Sequence, residues 1–511
     1  MNIQQKSKKI SRALISVYHK DGIEEIANKL NSNGIEIIST GGTYDFLKKL
    51  NIPVTSVESV TSYPSILGGR VKTLHPKIFG GILSRRDDAG DVVEVERYEI
   101  PNIDLVIVDL YPFEEYVAAG ASHEDIIEKI DIGGISLIRA AAKNYNDVII
   151  VPSKDCYGML LDIIDNKECT STIEDRELFA SYAFMTSSHY DTMIFNYFNK
   201  NQKIKTFSQS VITPKELRYG ENPQQKATYF GNSNSMPEQL HGKEISYNNM
   251  LDIEAAIELI SDFNDTTVAI IKHNNACGCA VRGTLIDAWK EALSCDPISA
   301  FGGIIVTNSK VNAETASEIH KIFFEVIIAP DYEEEALNIL KQKKNRIILK
   351  NTNTTLTPLK FRSMLDGVLV QDRDSITEKP KELNFVTTNK ASAQVAEDLV
   401  FANILVKHSK SNAIVLAKDK KLMASGIGQT SRVDALNQAI AKAQHFGFNL
   451  NESVMASDAF FPFPDCVEIA HNAGVTSVIH PGGSIKDNES IEFCEKHNMT
   501  MAITGNRHFK H

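Results

Sequence analysis

The pair Lys272-His273 stands where an apolar run, Val268 to Ile271, ends in the segment TVAIIKHNNACG. Its β-branched and small residues predict a buried strand, and Asn274, Asn275 and Gly278 predict the turn after it. Side chains at strand ends are fixed by the scaffold yet open to substrate. An imidazole beside a fixed cation can deprotonate a weak nucleophile while the cation balances the anion that forms. On the dipeptide alone, a surface lysine next to a hydrogen-bonded loop histidine is the better fit.

A second set of candidates suits a phosphorylated ligand. Ser39-Thr40-Gly41-Gly42-Thr43 lies between a strand and a helix, where glycines admit an anion to unpaired helix N–H groups. A tight turn with Thr43 as its N-cap would read the same way. Lys20, in the preceding strand–helix loop, can approach the same anion. Arg70, Lys72, His75 and Lys77 fall within GGRVKTLHPKIFGG; in an extended segment Arg70 and Lys72 would share one side. Arg139 and Lys143 are spaced for one helix face behind Asp131-Ile132-Gly133-Gly134. Tyr111 adds a phenol after the strand IDLVIVDL. A solvated basic loop and an exposed helix face are the plain alternatives for the two charged groups.

These residues need strands and helices to hold them. Ala13–Val17, Ile35–Ser39, IDLVIVDLYPF and NDVIIVPS predict strands, while GIEEIANKL, YDFLKKL and ISLIRAAAKNY predict helices. Such alternation implies a parallel sheet covered on both faces, with ligands outside the carboxyl ends of its strands. The pattern fails between about Phe198 and Leu217, which predicts a boundary dividing 1–200 from 201–511. An irregular polar stretch, 350–392, splits the second part into two lobes. Each lobe offers an apolar strand before a polar cluster (AIIKHNNACG and AIVLAKDKKLMASGIGQTSR), a similarity too weak to establish a repeat.

Bulk properties exclude some classes. A chain of 511 residues holds two to four domains, and 42% hydrophobic with 23% charged residues is ordinary for a globular protein. The start, MNIQQKSKKISRALISVY, lacks the apolar core of a secretion signal. No apolar run reaches the roughly 18 residues of a membrane helix. Seven scattered cysteines predict reduced thiols in a cytoplasm. A net charge of -11 argues against a nucleic-acid partner and leaves an anionic substrate to local basic pockets.

Taken in order, STGGT, RVKTLHP, DLYPF, DIGG, RAAAKN, LRYGENP, KHNNACG, DPISAFGG, SNAIV, GIGQTSR, SDAFFPFPD, PGGSI and TGNRHF span the chain. The whole sequence thereby resembles the bifunctional purine-biosynthesis family that joins AICAR transformylase to IMP cyclohydrolase. The resemblance implies an α/β fold: an N-terminal parallel-sheet, methylglyoxal-synthase-like domain followed by two cytidine-deaminase-like α/β lobes. It implies formyl transfer from 10-formyltetrahydrofolate to AICAR, then closure of formyl-AICAR to IMP with loss of water. It also implies an intertwined homodimer. For formyl transfer it points to His273 as base, Lys272 as oxyanion or leaving-group partner, and Asn412 as orienting group. Arg218, Tyr219, Asn249 and Arg507 would hold the ribotide, Arg432 would support the anionic substrate, and Phe460 and Asp465 would face the folate. For ring closure it points to Lys72, Tyr111, Asp131 and Lys143, with Lys20, Ser39, Thr40, Gly42, Thr43, Arg70 and Thr73 around the phosphate.

Deaminase-like lobes raise the question of zinc. Cys277-x-Cys279 lies near His273, but the H-x-E and P-C-x-x-C elements of zinc deaminases are missing here, so no catalytic metal is expected. Four positions depart from the family pattern: Asp109 before LYPF, Ala276 before Cys277, Gln224, and His480 before PGGS. Asp109 adds a negative charge near the ring-closing pocket, and Ala276 in place of proline leaves the His273 loop less rigid. Two other readings stay open: a methylglyoxal-synthase-like nucleotide-binding regulatory protein, and a transformylase with an impaired cyclohydrolase.

Overall fold

Four runs rich in isoleucine and valine build the first sheet, because a parallel strand covered on both faces needs apolar residues at every position. In the computed structural model, which describes residues 7–231, 236–352 and 356–511, the chain divides into two compact units, Met1–Ile212 and Thr213–His511. The sequence start read above for a leader lies, for residues 1–6, outside the described residues. Among the described residues no helix is long and apolar enough to cross a membrane.

The first unit holds a five-stranded parallel sheet in the order Thr55–Ser56, Glu36–Ser39, Arg12–Ser16, Leu105–Val108, Ile149–Val151. The first strand in sequence lies centrally and the chain departs from it to both sides. This order creates a switch point at the carboxyl ends of Arg12–Ser16 and Leu105–Val108. Helix Ile173–Phe198 closes the unit; its start is fixed by a capping box in which Thr172 and Asp175 satisfy each other's backbone N–H groups. Arg176 of that helix is fully buried and donates to the carbonyls of Tyr145 and Ser171.

One twelve-stranded sheet organises the second unit, and its order shows a duplication. From the middle outward, one half runs Asn275–Val281, Thr267–Lys272, Ile304–Thr307, Val326–Ala329, Ile347–Lys350 and Glu238–His241. The other half runs Lys421–Gly426, Ile414–Lys418, Ser453–Ser457, Val475–His480, Thr500–Ile503 and Asn384–Phe385. Each half is an antiparallel edge strand, a helix (Tyr247–Ser261 or Ala393–Lys407), a hairpin, and three further strands. The halves join by antiparallel pairing of Ala280 with Lys421. The repeat that the two strand motifs hinted at is therefore a repeat of topology.

Local readings need three corrections. The turn after Thr267–Lys272 is His273–Asn274, both with positive φ (50° and 64°), and Asn275 already belongs to the returning strand. Gly278 lies inside that strand, where the backbone passes so close to helix Leu285–Cys295 that a Cβ would run into the Ala292 carbonyl. The repeat places Gly426 in the same relation to the Ala435 carbonyl of helix Arg432–His445. The stretch read as irregular over 350–392, of which 353–355 lie outside the described residues, contains a hairpin, Leu359–Met364 with Gly367–Asp372. Its alternation of apolar and polar residues is a strand pattern, but both faces are exposed, so burial gives no cue to it.

Gly278→Ala is expected to destabilise the protein by about 1–3 kcal/mol or more through overpacking. Gly158→Ala, in helix Tyr157–Asn166 with open space around the added methyl, should stabilise by about 0.5–1 kcal/mol. Chemical denaturation of both variants beside the unaltered protein measures the contrast.

Candidate active sites

At the switch point of the first unit, the loop after Arg12–Ser16 is held by one carboxylate. Asp109 accepts from the backbone N–H groups of Tyr18 and His19 and pairs with His19 Nδ1 at 2.8 Å. The added charge at Asp109 is thus engaged by this loop. Lys20 returns over the same loop, its Nζ donating to the Val17 and Tyr18 carbonyls and, at 3.1 Å, to Thr43 Oγ1. Burial pushes the Lys20 ammonium below its usual range, with Asp109 opposing.

The STGGT segment differs from the tight turn with Thr43 as its N-cap. Its glycines begin helix Gly41–Lys49 after the N-cap Thr40, and Thr43 lies inside the helix. Thr43 Oγ1 donates to the Val17 carbonyl at 2.8 Å and accepts from its N–H at 3.0 Å, stitching helix to strand. Ser39 Oγ donates to the Ile15 carbonyl. Gly41 has φ 55°, and a Cβ there would stand 3.0 Å from Lys72 Nζ, so the lysine lies directly over this helix start. Gly42 has open space beside it.

Arg70 and Lys72 do not share an extended face, because Leu67–Gly69 coils into a single turn of 3-10 helix just before them. Lys72 turns to Gly41 and Gly69, while Arg70 pairs with Glu128 on the surface. Thr73 is buried, its Oγ1 close to Gly133 at the start of helix Gly133–Lys143. Ahead of that helix Asp131 accepts from Gly134 N–H at 2.6 Å and from the backbone N–H of Tyr111. Burial raises the Asp131 carboxyl above the usual carboxylate range, and burial then Asp131 raise the Tyr111 phenol. A carboxyl raised by burial beside a phenol is an arrangement that can move protons.

The other two basic candidates lie apart from this cluster. Lys143 is exposed at the last position of its helix, ten residues beyond Gly133 and so about 15 Å along the axis. Arg139 turns to helix Ile173–Phe198, where it donates to Ser187 Oγ and lies over the Phe184 ring.

In the second unit the positive φ values of His273 and Asn274 make a two-residue turn whose twist matches the hairpin. The turn is pinned on both sides. Asn274 N–H donates to Asp252 Oδ1 at 2.6 Å, and Asn275 Nδ2 donates to the His273 carbonyl at 2.7 Å. Lys272 Nζ donates to the Phe301 carbonyl at 2.7 Å. Asn275 Oδ1 accepts from Lys410 N–H at 2.9 Å, which brings the Lys410–Asn412 loop of the second lobe to the turn. There Asn412 Nδ2 donates to the Gln429 and Thr430 carbonyls, and its Oδ1 accepts from Arg432 at 2.8 Å.

Arg432 is buried and its guanidinium also meets Ser457 Oγ and the fully buried Asp458. Its contacts fix Asn412 in place. Asn249 likewise completes the capping box of Ser246 and reaches Glu325 at 3.5 Å. Arg218 and Tyr219 are joined by a 2.8 Å hydrogen bond, in a loop whose Glu221 carbonyl accepts from Asn248. Phe460 is half exposed two residues after Asp458, and Arg507 precedes His508, whose N–H donates to the Asp458 carbonyl. Asp465 starts helix Asp465–Asn472 and accepts from Cys466 N–H.

Sequence reasoning missed Asp252, Glu325 and Asp458. Asp252 is raised by burial, against the pull of the Asn274 N–H, His273 and Lys272. Its only signal was the spacing that puts Asn249 and Asp252 one turn apart on a helix. Among the described residues no three His, Cys, Asp or Glu side chains gather to hold a metal. Cys277 and Cys295 are buried, their thiols pushed up to about 12 and about 11.

Of the remaining departures, Ala276 pairs with Ile271 in the hairpin and Gln224 is exposed. His480 is fully buried; its Nδ1 accepts from Gly482 N–H at 3.1 Å and its ring packs on Phe461 at 4.7 Å.

Two α/β units, each with lysines and a carboxyl raised by burial at strand ends, fit an enzyme with two sites for anionic substrates. A family model described as MGS-like domain matches residues 22–136, and one described as AICARFT/IMPCHase bienzyme matches residues 141–442. The chain is 61% identical over 505 residues to a bifunctional purine biosynthesis protein PurH of Bacteroides thetaiotaomicron, covering 99% of both chains. Proteins of the same name from Caldicellulosiruptor saccharolyticus and Aquifex aeolicus are 45% and 44% identical over 98% of this chain and 99% and 100% of theirs. The chain belongs to the AICARFT/IMPCHase bienzyme family.

Burial lowers the His480 imidazole to about 4. The unfolded chain takes up this proton near pH 6.5, so the stability His480 contributes is present above that pH and lost as pH falls towards 4. The margin by which the unaltered protein exceeds His480→Gln in stability should shrink by up to about 3 kcal/mol between pH 7 and 4. Denaturant titrations across that range measure it; a margin independent of pH would contradict the buried neutral histidine.

Proposed function

We infer that the chain is a bifunctional enzyme of purine biosynthesis, an AICAR formyltransferase and IMP cyclohydrolase that uses 10-formyltetrahydrofolate as co-substrate. The observation that carries the reading is the joining of Lys272-His273 to Asn412 through Asn275 and Lys410. In this reading residues 201–511 transfer the formyl group and form two cytidine-deaminase-like lobes, while residues 1–200 close the ring. The duplicated sheet supports the two lobes. The protein acts in the cytoplasm as a homodimer; its seven cysteines, all free and buried, fit a reducing compartment.

The exocyclic amine of AICAR is a poor nucleophile, because its lone pair is delocalised into the imidazole and carboxamide. His273 takes its proton as the nitrogen attacks the formyl carbon. Lys272, fixed by one N–H to Phe301, keeps two more N–H donors for the oxyanion and the departing folate nitrogen. Asn412, held by Arg432, orients the reacting group. Arg218, Tyr219, Asn249 and Arg507 serve the ribotide, and Phe460 and Asp465 the folate.

Ring closure joins the carboxamide nitrogen to the formyl carbon of one molecule, so positioning does much of the work. Lys20, Ser39, Thr40, Gly42, Thr43, Arg70 and Thr73 hold the phosphate end, at the helix start that Lys72 covers. Tyr111 and Asp131 move the protons that leave the nitrogen and depart with water, and Lys72 balances the oxyanion. Lys143, at the last position of helix Gly133–Lys143, is the fourth ring-closing residue of this reading.

Lys272→Ala/His273→Ala should lose formyl transfer by at least about a hundredfold and keep closure of added formyl-AICAR. Tyr111→Phe should do the reverse. Ultraviolet assays of each half-reaction decide; loss of both activities in either variant would overturn the division into two sites.

A further inference from the structure

The ring-closing site contains a cation that the assigned machinery does not use. Lys129 Nζ lies 4.5 Å from the ring centre of Tyr116, 5.8 Å from that of Tyr18 and 5.9 Å from that of Tyr111. An ammonium among three tyrosine rings is attracted to their π-faces and restrains them. These tyrosines come from two different strand-end segments and a helix, so the cage exists only in the fold. Tyr18 also meets Tyr111 edge-on, with ring centres 5.5 Å apart at 86°.

Both ends of the cage are pinned. Tyr190 Oη donates to the Lys129 carbonyl at 2.6 Å and accepts from Asp131 N–H at 2.9 Å, so one phenol fixes the segment that carries both residues. Asp131 in turn accepts from the Tyr111 backbone N–H. Asp109 holds the Tyr18 backbone. Tyr111 is therefore fixed through its backbone by a carboxylate and through its ring by Tyr18 and an ammonium.

We propose that Lys129 is a positioning residue for ring closure, fixing the Tyr111 phenol through the tyrosine cage and supplying the positive field that makes the phenol a usable acid. The proposal rests on the assignment of ring closure to Tyr111. The charged and titratable groups facing Tyr111 are Asp131, Lys129 and Tyr18, and of these only Lys129 favours the phenolate. Its own ammonium is held in the charged form, chiefly by the Tyr116 hydroxyl.

The test is a cycle of Lys129→Met, Lys129→Arg, Tyr111→Phe and Lys129→Met/Tyr111→Phe in the full chain, assayed with formyl-AICAR across pH. Lys129→Met removes the charge and keeps an unbranched stem. It should lower ring-closing kcat about tenfold or more with KM little changed, and move the alkaline limb of the kcat profile to higher pH. Lys129→Arg should restore most of the rate. Formyl transfer by the same chains should be unaltered, which shows that they fold. In the Tyr111→Phe background Lys129→Met should cost nothing further. A normal rate and pH profile in Lys129→Met, a change in KM alone, or an additive loss in the double variant would each overturn the proposal and leave the Tyr111 assignment standing. Full ring closure by Tyr111→Phe would overturn that assignment, and the proposal with it.

Discussion

The carboxamide of Asn275 is the joint on which the proposed formyl-transfer site depends. Its nitrogen holds the carbonyl of His273, and its oxygen takes the amide of Lys410. One side chain thereby sets His273, and the loop ending in Asn412, in a single frame. The joint is possible only because the two lobes meet strand to strand at Ala280 and Lys421. Arg282 supports the same seam, donating to the carbonyl of Asp419 across it. A duplicated fold whose copies meet through central hairpins places strand ends of both at one locus. The residues there are unequal: one lobe supplies Lys272 and His273, and the other Asn412 backed by a buried Arg432–Asp458 pair.

The first unit solves a different problem with a simpler device. A parallel sheet whose order reverses leaves a crevice at the switch point, and three loops converge there. Most polar side chains at this point serve the protein before any ligand. Thr43 ties helix to strand, Ser39 ties one strand to its neighbour, and Asp109 ties down the Tyr18–Lys20 loop. Lys72 is left facing a glycine at a helix start, where both the dipole and the open backbone favour an anion. Burial raises the Asp131 carboxyl, which accepts from the backbone N–H of Tyr111.

Much of this was legible in the sequence where burial dictates residue type. The parallel strands are β-branched runs, and the apolar strand before Lys272 ends where TVAIIK stops. The turn was not legible, because His273 and Asn274 adopt positive φ without glycine, whereas Gly278 looks like a turn residue and serves a close helix contact. The shared face of Arg70 and Lys72 failed for a local reason, a coil at Leu67–Gly69 that spacing alone does not reveal. Asp458 and Lys129 were invisible because their partners are remote: the rings around Lys129 stand at 18, 111 and 116. Arg432 carried a motif signal, but its motif could not say that it faces Asp458.

The central claim is that the Asn275 joint presents His273 and Asn412 to one substrate. A crystal structure of the protein with AICAR bound tests it most directly. The account predicts the exocyclic amine within about 3 Å of the His273 imidazole, with Asn412 contacting the same ribotide. An AICAR molecule seated elsewhere, or one whose amine faces away from His273, would contradict it.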